Sequence, residues 1–229
     1  MQTPKIAFFD LDNTLYSYEI AHEPAQKALV EYLGKQLGMK FGDVATHLEF
    51  ARNKVKIRLG YIASSHSRLM YITQFLNDEE FISRPSLALS AEQVYWRTFM
   101  RYMKLFDGVK DLLTALRLKQ CKTVLITDLS TSIQYRKILW LGLESYFDHT
   151  VTSEEAGGDK RSGKPEEMLK NLISVPIVDG WCIGDQDCDH LFKESTVFFH
   201  RLGNSSGGNT KGFKAFRELI SELDKSIIS

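Results

Sequence analysis

Lys5-Ile-Ala-Phe-Phe-Asp10-Leu-Asp12-Asn-Thr14 runs from an apolar segment straight into two carboxylates and a hydroxyl. Nearly uninterrupted apolar character over Lys5–Phe9 is the pattern of a parallel strand covered on both faces. Thr123–Thr127, His149–Thr152, Gly180–Gly184 and Thr196–His200 are also short and rich in β-branched or aromatic residues. Helical patterns lie between the later strands. Ser132–Gly142 has helical spacing and ends on a glycine, and Pro165–Ile173 opens with proline in its first turn. Alternation of strand and helix predicts an α/β fold, a doubly wound parallel sheet with right-handed crossovers.

Between the first two strands the pattern changes. Pro24–Leu37, Phe41–Leu59, His66–Leu76 and Ala91–Tyr102 read as amphipathic helices, with breaks at Asn77-Asp78-Glu79 and Ser83-Arg84-Pro85-Ser86. That much helix is too long for one crossover. The expected organisation is a core of residues 1–16 and 105–229, with an all-helical domain inserted at 17–104. Gly203–Thr210 is the one low-complexity stretch and reads as a surface loop.

Composition narrows the function. Lys plus Arg and Asp plus Glu number 29 each, so no net field favours nucleic acid or an anionic membrane. Hydrophobic residues make up 43% of 229, enough for a sizeable core. No charged leader precedes a long apolar stretch, and no uncharged run approaches the roughly 18 residues that span a bilayer. Cys121, Cys182 and Cys188 lack zinc-type spacing and read as buried reduced thiols, so a cytoplasmic location is expected.

In an open α/β sheet, ligands bind beyond the carboxyl ends of the strands. Those ends carry Asp10 and Asp12, then Thr127 and Asp128, then Asp185, Asp187 and Asp189, with Lys164 in the nearby Gly163-Lys164-Pro165 loop. Asp10 and Asp12 share one side of an extended backbone. Carboxylates packed this closely repel unless a cation joins them or one is protonated. Hard oxygen ligands suit Mg²⁺, which shares its shell with phosphate oxygens. With Asp12 protonated, the charges of Asp10, Asp185 and Asp189 balance those of Mg²⁺ and Lys164.

Asp10-Leu-Asp12-Asn-Thr14, Thr127 after its strand, Lys164-Pro165 and Gly184-Asp185-x-x-x-Asp189 resemble, in order, the four motifs of the haloacid dehalogenase superfamily. Phe106-Asp-Gly108, Leu141-Gly-Leu143 and Tyr146-Phe-Asp148 extend the resemblance over the core, and the helical insertion is similar to the family's C1 cap. The resemblance implies Asp10 as nucleophile, Asp12 as general acid and base, and Thr127 as a phosphoryl hydrogen-bond donor. It implies Lys164 as the charge-balancing amine, with Lys160 a weaker rival because only Lys164 precedes the proline. Asp10, the Asp12 carbonyl and Asp185 are then the metal ligands. Asp189 lies behind them, with Asp187 its competitor. Asp128 stands where relatives often carry asparagine, and nothing in the sequence explains it.

Asp12 also separates reactions. A leaving alkoxide needs a proton, whereas the carbon-attacking dehalogenases do not need that aspartate. The expected activity is therefore Mg²⁺-dependent hydrolysis of a small phosphorylated metabolite through an aspartyl-phosphate. A phosphomutase uses the same residues; carbon–halogen cleavage and a non-catalytic binding protein fit less well. Substrate choice is expected in the cap, where Arg58, His66 and Arg68 are candidate contacts, with Tyr16 and Tyr18 at the hinge that leads into it and Asp128 in the core as further candidates. Alternatively, Ser64 or Ser65 caps the next helix, with the arginines in water. Either a monomer or a homodimer fits.

Overall fold

The computed structural model describes residues 3–81, 84–203 and 209–225. The chain divides into two compact units, one of Met1–Ser17 with Lys104–Ser229 and one of Tyr18–Met103.

The first unit is built on six parallel strands, β1 (Ile6–Phe9), β2 (Lys122–Thr127), β3 (His149–Thr152), β4 (Gly180–Gly184), β5 (Thr196–Arg201) and β6 (Thr210–Phe213), in the order β3-β2-β1-β4-β5-β6. All residues of β1 and β4 are buried, which is why both read as continuous apolar runs. Alternate side chains serve opposite faces of the sheet. Ile6, Phe8, Val124, Ile126, Cys182 and Phe198 join Leu169 in one cluster. Trp181 packs on Phe199 with ring centroids 4.6 Å apart, and Phe9 meets Phe147 edge-on at 5.9 Å. Burying such aromatic side chains stabilises the sheet by about 1.5–3 kcal/mol each.

The sequence predicts five strands, and β6 is the addition. It is four residues long with a single buried side chain, so it carries no apolar run to mark it. Of the low-complexity stretch before it, residues 204–208 lie outside the described residues.

The helical unit holds α1 (Tyr18–Leu37), α2 (Phe41–Leu59), α3 (Arg68–Asp78) and α4 (Pro85–Tyr102), with α1 packed on α4 and α2 on α3. Three starts differ from the sequence reading, α4 among them, which begins at Pro85 rather than Ala91. α1 begins before Pro24, because buried Ala21, Ala25, Leu29 and Leu33 form a continuous stripe that keeps the early turns helical despite the proline. α3 begins at Arg68 rather than His66, and Ala63–His66 is a separate 3₁₀ turn. Its cap is Ser67, neither Ser64 nor Ser65: the Ser67 hydroxyl accepts the Met70 N–H at 3.3 Å. At α4, Pro85 stands in the first turn, where its missing N–H costs no hydrogen bond.

The remaining helices belong to the first unit: α5 (Val109–Leu118), α6 (Thr131–Leu141), α7 (Ser153–Ala156), α8 (Lys164–Leu172) and α9 (Phe216–Lys225). α6 stops at Gly142, whose φ of 63° is left-handed and favours glycine. No helix of the described residues is long and apolar enough to cross a membrane.

Candidate active site

The sheet order places β1 beside β4, with β2 on the other side of β1. The chain therefore reverses direction across the sheet at β1, and a crevice opens beyond the carboxyl ends of these strands. Asp10 follows β1 directly, its N–H donating to the Ile183 carbonyl at 2.9 Å. Asp185 follows β4, and Thr127 closes β2.

One oxygen from each of Asp10, Asp185 and Asp189 comes within 4.8 Å of the others. Lys160 lies among them. Its Nζ donates to Asp10 Oδ1 at 2.5 Å and to Asp189 Oδ1 at 2.5 Å, and all three side chains are almost fully buried. Lys164, the amine that the sequence favours, is elsewhere: it opens α8, is largely exposed, and approaches Glu167 at 3.6 Å. The reason is local. Asp159 caps a 3₁₀ turn over Lys160–Ser162, and its carboxylate accepts the Ser162 N–H at 3.2 Å. Lys160 therefore starts the turn on the buried side, while Lys164 falls beyond it on a solvated helix end.

Asp128 finds an explanation here. Its Oδ1 accepts the Lys160 backbone N–H at 3.1 Å, so it anchors the turn that delivers the amine. Asp189 is spoken for as well. Its Oδ2 accepts N–H bonds from Asp185 and Gln186 at 3.0 and 2.9 Å. A Cβ on Gly184 would lie 2.2 Å from the Asp189 Cβ, so glycine is the residue that allows this approach. Asp187 is exposed.

A second buried network surrounds Asp12. Lys137 Nζ on α6 reaches both Asp12 oxygens, at 2.8 and 2.9 Å, and is fully buried. The Tyr16 hydroxyl donates to Asp12 Oδ1, so this buried tyrosine contacts the carboxylate. Gln134 Nε2 donates to Thr127 Oγ1 at 2.6 Å, to the Asp128 carbonyl at 2.5 Å and to Asp12 Oδ2 at 3.3 Å. The sequence reading misses Gln134 and Lys137 as site residues. Their signal is faint: a polar pair three apart on the same buried face as Ile133, Ile138 and Leu141.

Electrostatics divide the carboxylates. Burial pushes Asp10 well above the usual carboxylate range, and Asp189 and Asp185 add to the rise against Lys160. Burial and Asp189 carry Asp185 up to about 6. Burial would raise Asp12 too, but the Lys137 charge and the bonds from Lys137, Tyr16 and Gln134 outweigh it and hold it below the ordinary value. Burial disfavours the Lys160 cation, yet Asp10, Asp189 and Asp128 together keep its pKa well above the usual lysine value.

The cluster has the donor set of a divalent-cation site. Asp10 Oδ2 is buried and has no hydrogen-bond partner among the described residues. An ionised oxygen left this way is costly unless a cation takes it. Both Asp189 oxygens, by contrast, already accept hydrogen bonds.

The remaining candidates lie in the helical unit. Arg58 is exposed and donates to Gln74 at 2.7 Å, and His66 is half-buried in its 3₁₀ turn. Arg68 lines a cavity with His22 and Arg52. Arg58 and His66 are not among the residues of that cavity.

A ribulose-1,5-bisphosphate 5-phosphatase of Halopiger xanaduensis is 36% identical over 155 residues, 66% of this chain and 64% of that protein. A glyceraldehyde 3-phosphate phosphatase of Pyrococcus furiosus is 26% identical over 200 residues, 86% of this chain and 79% of the relative. Among solved structures, a 2-haloacid dehalogenase from Pseudomonas syringae superposes with a TM-score of 0.73 at 18% identity, covering 97% of this chain and 99% of the other. At that identity the likeness establishes the fold alone. Residues 4–174 match the haloacid dehalogenase-like hydrolases, in keeping with the six-stranded sheet and its acidic strand ends, and the chain belongs to that family.

Proposed function

We propose that the protein is a Mg²⁺-dependent phosphatase of small phosphorylated metabolites, working through an aspartyl-phosphate on Asp10. The observation that carries this reading is the pairing of two unlike carboxylates. Asp10 has one buried oxygen without a partner among the described residues, and Asp12 is held by its own lysine.

Asp10, Asp185 and Asp189 bring three negative charges and Lys160 one positive, leaving two negative charges to offset; Asp12 and Lys137 cancel. Asp10, Asp185 and the Asp12 carbonyl would hold Mg²⁺, which supplies the positive charge that lets a phosphate dianion approach. Lys160 keeps Asp10 oriented and adds its own charge beside the phosphoryl oxygens. Thr127 offers its hydroxyl to them, with Gln134 fixing that hydroxyl.

Asp10 attacks phosphorus, and the bond from phosphorus to the leaving oxygen breaks in line. Asp12 hands its proton to that oxygen. In the second half, the Asp12 carboxylate takes a proton from water, which attacks phosphorus and releases Asp10. Lys137 favours the carboxylate form and thus the second half. The first half needs a proton on Asp12, and the negative charge of the arriving phosphate favours its uptake.

The names of the relatives support a small phosphorylated substrate, and the 18–103 unit is where we place the choice among esters. The test is p-nitrophenyl phosphate hydrolysis by wild type and Asp10→Asn, with Mg²⁺ and with EDTA. Turnover lost both in the variant and on chelation is the expected result. Equal turnover by Asp10→Asn would rule out the nucleophile.

A further inference from the structure

The helical unit contains a cavity of about 100 Å³ between α1, α2 and α3, with His22, Gln26, Glu49, Arg52, Arg68 and Tyr71 on its walls. Arg68 dominates it. The guanidinium donates through Nη2 to the Tyr18 hydroxyl, and lies 4.8 Å from the Tyr95 ring centroid and 5.2 Å from that of Tyr71. Its Nε is buried and has no hydrogen-bond partner among the described residues. No described carboxylate pairs with Arg68, whereas Arg52 is held by Glu49 at 2.7 Å. A charge taken out of water without a counter-ion is expensive, and aromatic faces repay only part of that cost. The cavity wall therefore keeps one unbalanced positive charge from Arg52, Arg68 and Glu49.

His22 reports the same field. Its Nδ1 lies 2.8 Å from the Tyr95 hydroxyl. Burial, then Arg68 and Arg52, push its pKa down to about 4, with Glu19 acting the other way. The histidine is therefore neutral near pH 7 and adds no repulsion against an anion or a proton-bearing ligand group.

We propose that this cavity binds a small oxyanion, a phosphate or carboxylate group, held by the Arg68 guanidinium with support from Arg52. The bland alternative, a cation merely packed among tyrosines, leaves the orphaned Nε and the missing carboxylate without a reason. Guanidinium groups match such oxyanions in both charge and donor geometry. The anion has two possible sources, a free ion or a second anionic group on the substrate.

The first arm follows the His22 ring signals by NMR through a pH titration in EDTA, with inorganic phosphate against chloride at equal ionic strength. An anion in the cavity offsets the arginines, so phosphate is expected to raise the His22 pKa by about one unit or more in wild type and in Asp10→Asn. Arg68→Met is expected to abolish the phosphate effect and Arg68→Lys to keep part of it. An unchanged His22 titration in wild type overturns the proposal, as does an equal phosphate effect in a folded Arg68→Met. The second arm compares kcat/KM for a sugar bisphosphate and the matching monophosphate. A bisphosphate-to-monophosphate ratio that falls tenfold or more in Arg68→Met assigns the anion to the substrate. An unchanged ratio with the His22 effect present assigns it to free phosphate. Failure of the phosphatase reading shows separately, as absent p-nitrophenyl phosphate turnover.

Discussion

Replacing Lys160 by methionine removes the amine that bridges Asp10 and Asp189, each at 2.5 Å, while roughly preserving the volume of the aliphatic stem. The two carboxylates left behind are almost fully buried and cannot both stay ionised. Protonating one ordinary carboxyl at pH 7, about three units above its usual pKa, costs about 4 kcal/mol. Breaking buried ion pairs by removing one partner typically costs about 3–5 kcal/mol, which agrees. Loss of about 4 kcal/mol at pH 7 is therefore expected, shrinking to about 1.5 kcal/mol at pH 5, where protonation is cheap. The sign of the wild-type linkage is consistent. Lys160 has its pKa raised by folding, so its contribution is complete below the unfolded lysine value and fades only as pH rises through the folded one. Lys164→Met is the control. Its 3.6 Å contact with Glu167 is exposed and contributes at most about 0.5 kcal/mol. Urea unfolding in EDTA at pH 7 and pH 5 reads the stabilities, and p-nitrophenyl phosphate turnover with Mg²⁺ reads the chemistry. Lys160→Met is expected to lose about 10²–10³-fold in kcat, the scale for deleting one charge-stabilising donor. Lys164→Met should stay within about twofold. The reasoning fails if Lys164→Met suffers as much as Lys160→Met, or if Lys160→Met unfolds within about 1 kcal/mol of wild type at pH 7.

Lys137→Met strips Asp12 of its buried cation and should lower kcat by about tenfold or more, part of what acid–base catalysis contributes; stopped assays at fixed pH measure it. Gly184→Ala drives a Cβ to within 2.2 Å of the Asp189 Cβ. Overpacking of this kind costs about 1–3 kcal/mol, seen by calorimetry as a melting temperature lower by several degrees, about 2–4 °C per kcal/mol. Mg²⁺ at a hundred times its dissociation constant should stabilise the protein by about 2.7 kcal/mol, a gain that EDTA reverses and that Asp185→Asn diminishes in thermal melts.

Much of the site was legible because its chemistry sits at strand ends. An apolar run such as Ile6–Phe9 declares its strand, and the next residue in the chain must then emerge at the edge of the sheet. Asp10, Asp12, Thr127 and Asp185 could be placed from that alone. Between Asp187 and Asp189 the sequence left a choice, and the motif spacing of the resembled family favoured Asp189. β6 was not legible, since three of its four residues are only partly buried and carry no apolar pattern. The start of α1 was misread from Pro24, where tertiary burial of a stripe of small and aliphatic residues overrides the local signal.

Lysine choice shows where sequence reasoning stops. The proline after Lys164 marks a helix start, and a helix start says nothing about which neighbouring side chain faces the sheet. Chain order and local pattern by themselves determined the parallel α/β core, the helical insertion and the strand-end carboxylates, because these depend on periodicity and on contacts close in sequence. Only the tertiary structure decided that Lys160 joins Asp10 and Asp189, that Lys137 and Tyr16 hold Asp12, and that Arg68 has no carboxylate partner among the described residues. Those facts depend on side-chain reach across residues up to 150 positions apart, where a single 3₁₀ turn decides which amine is buried and which remains in water.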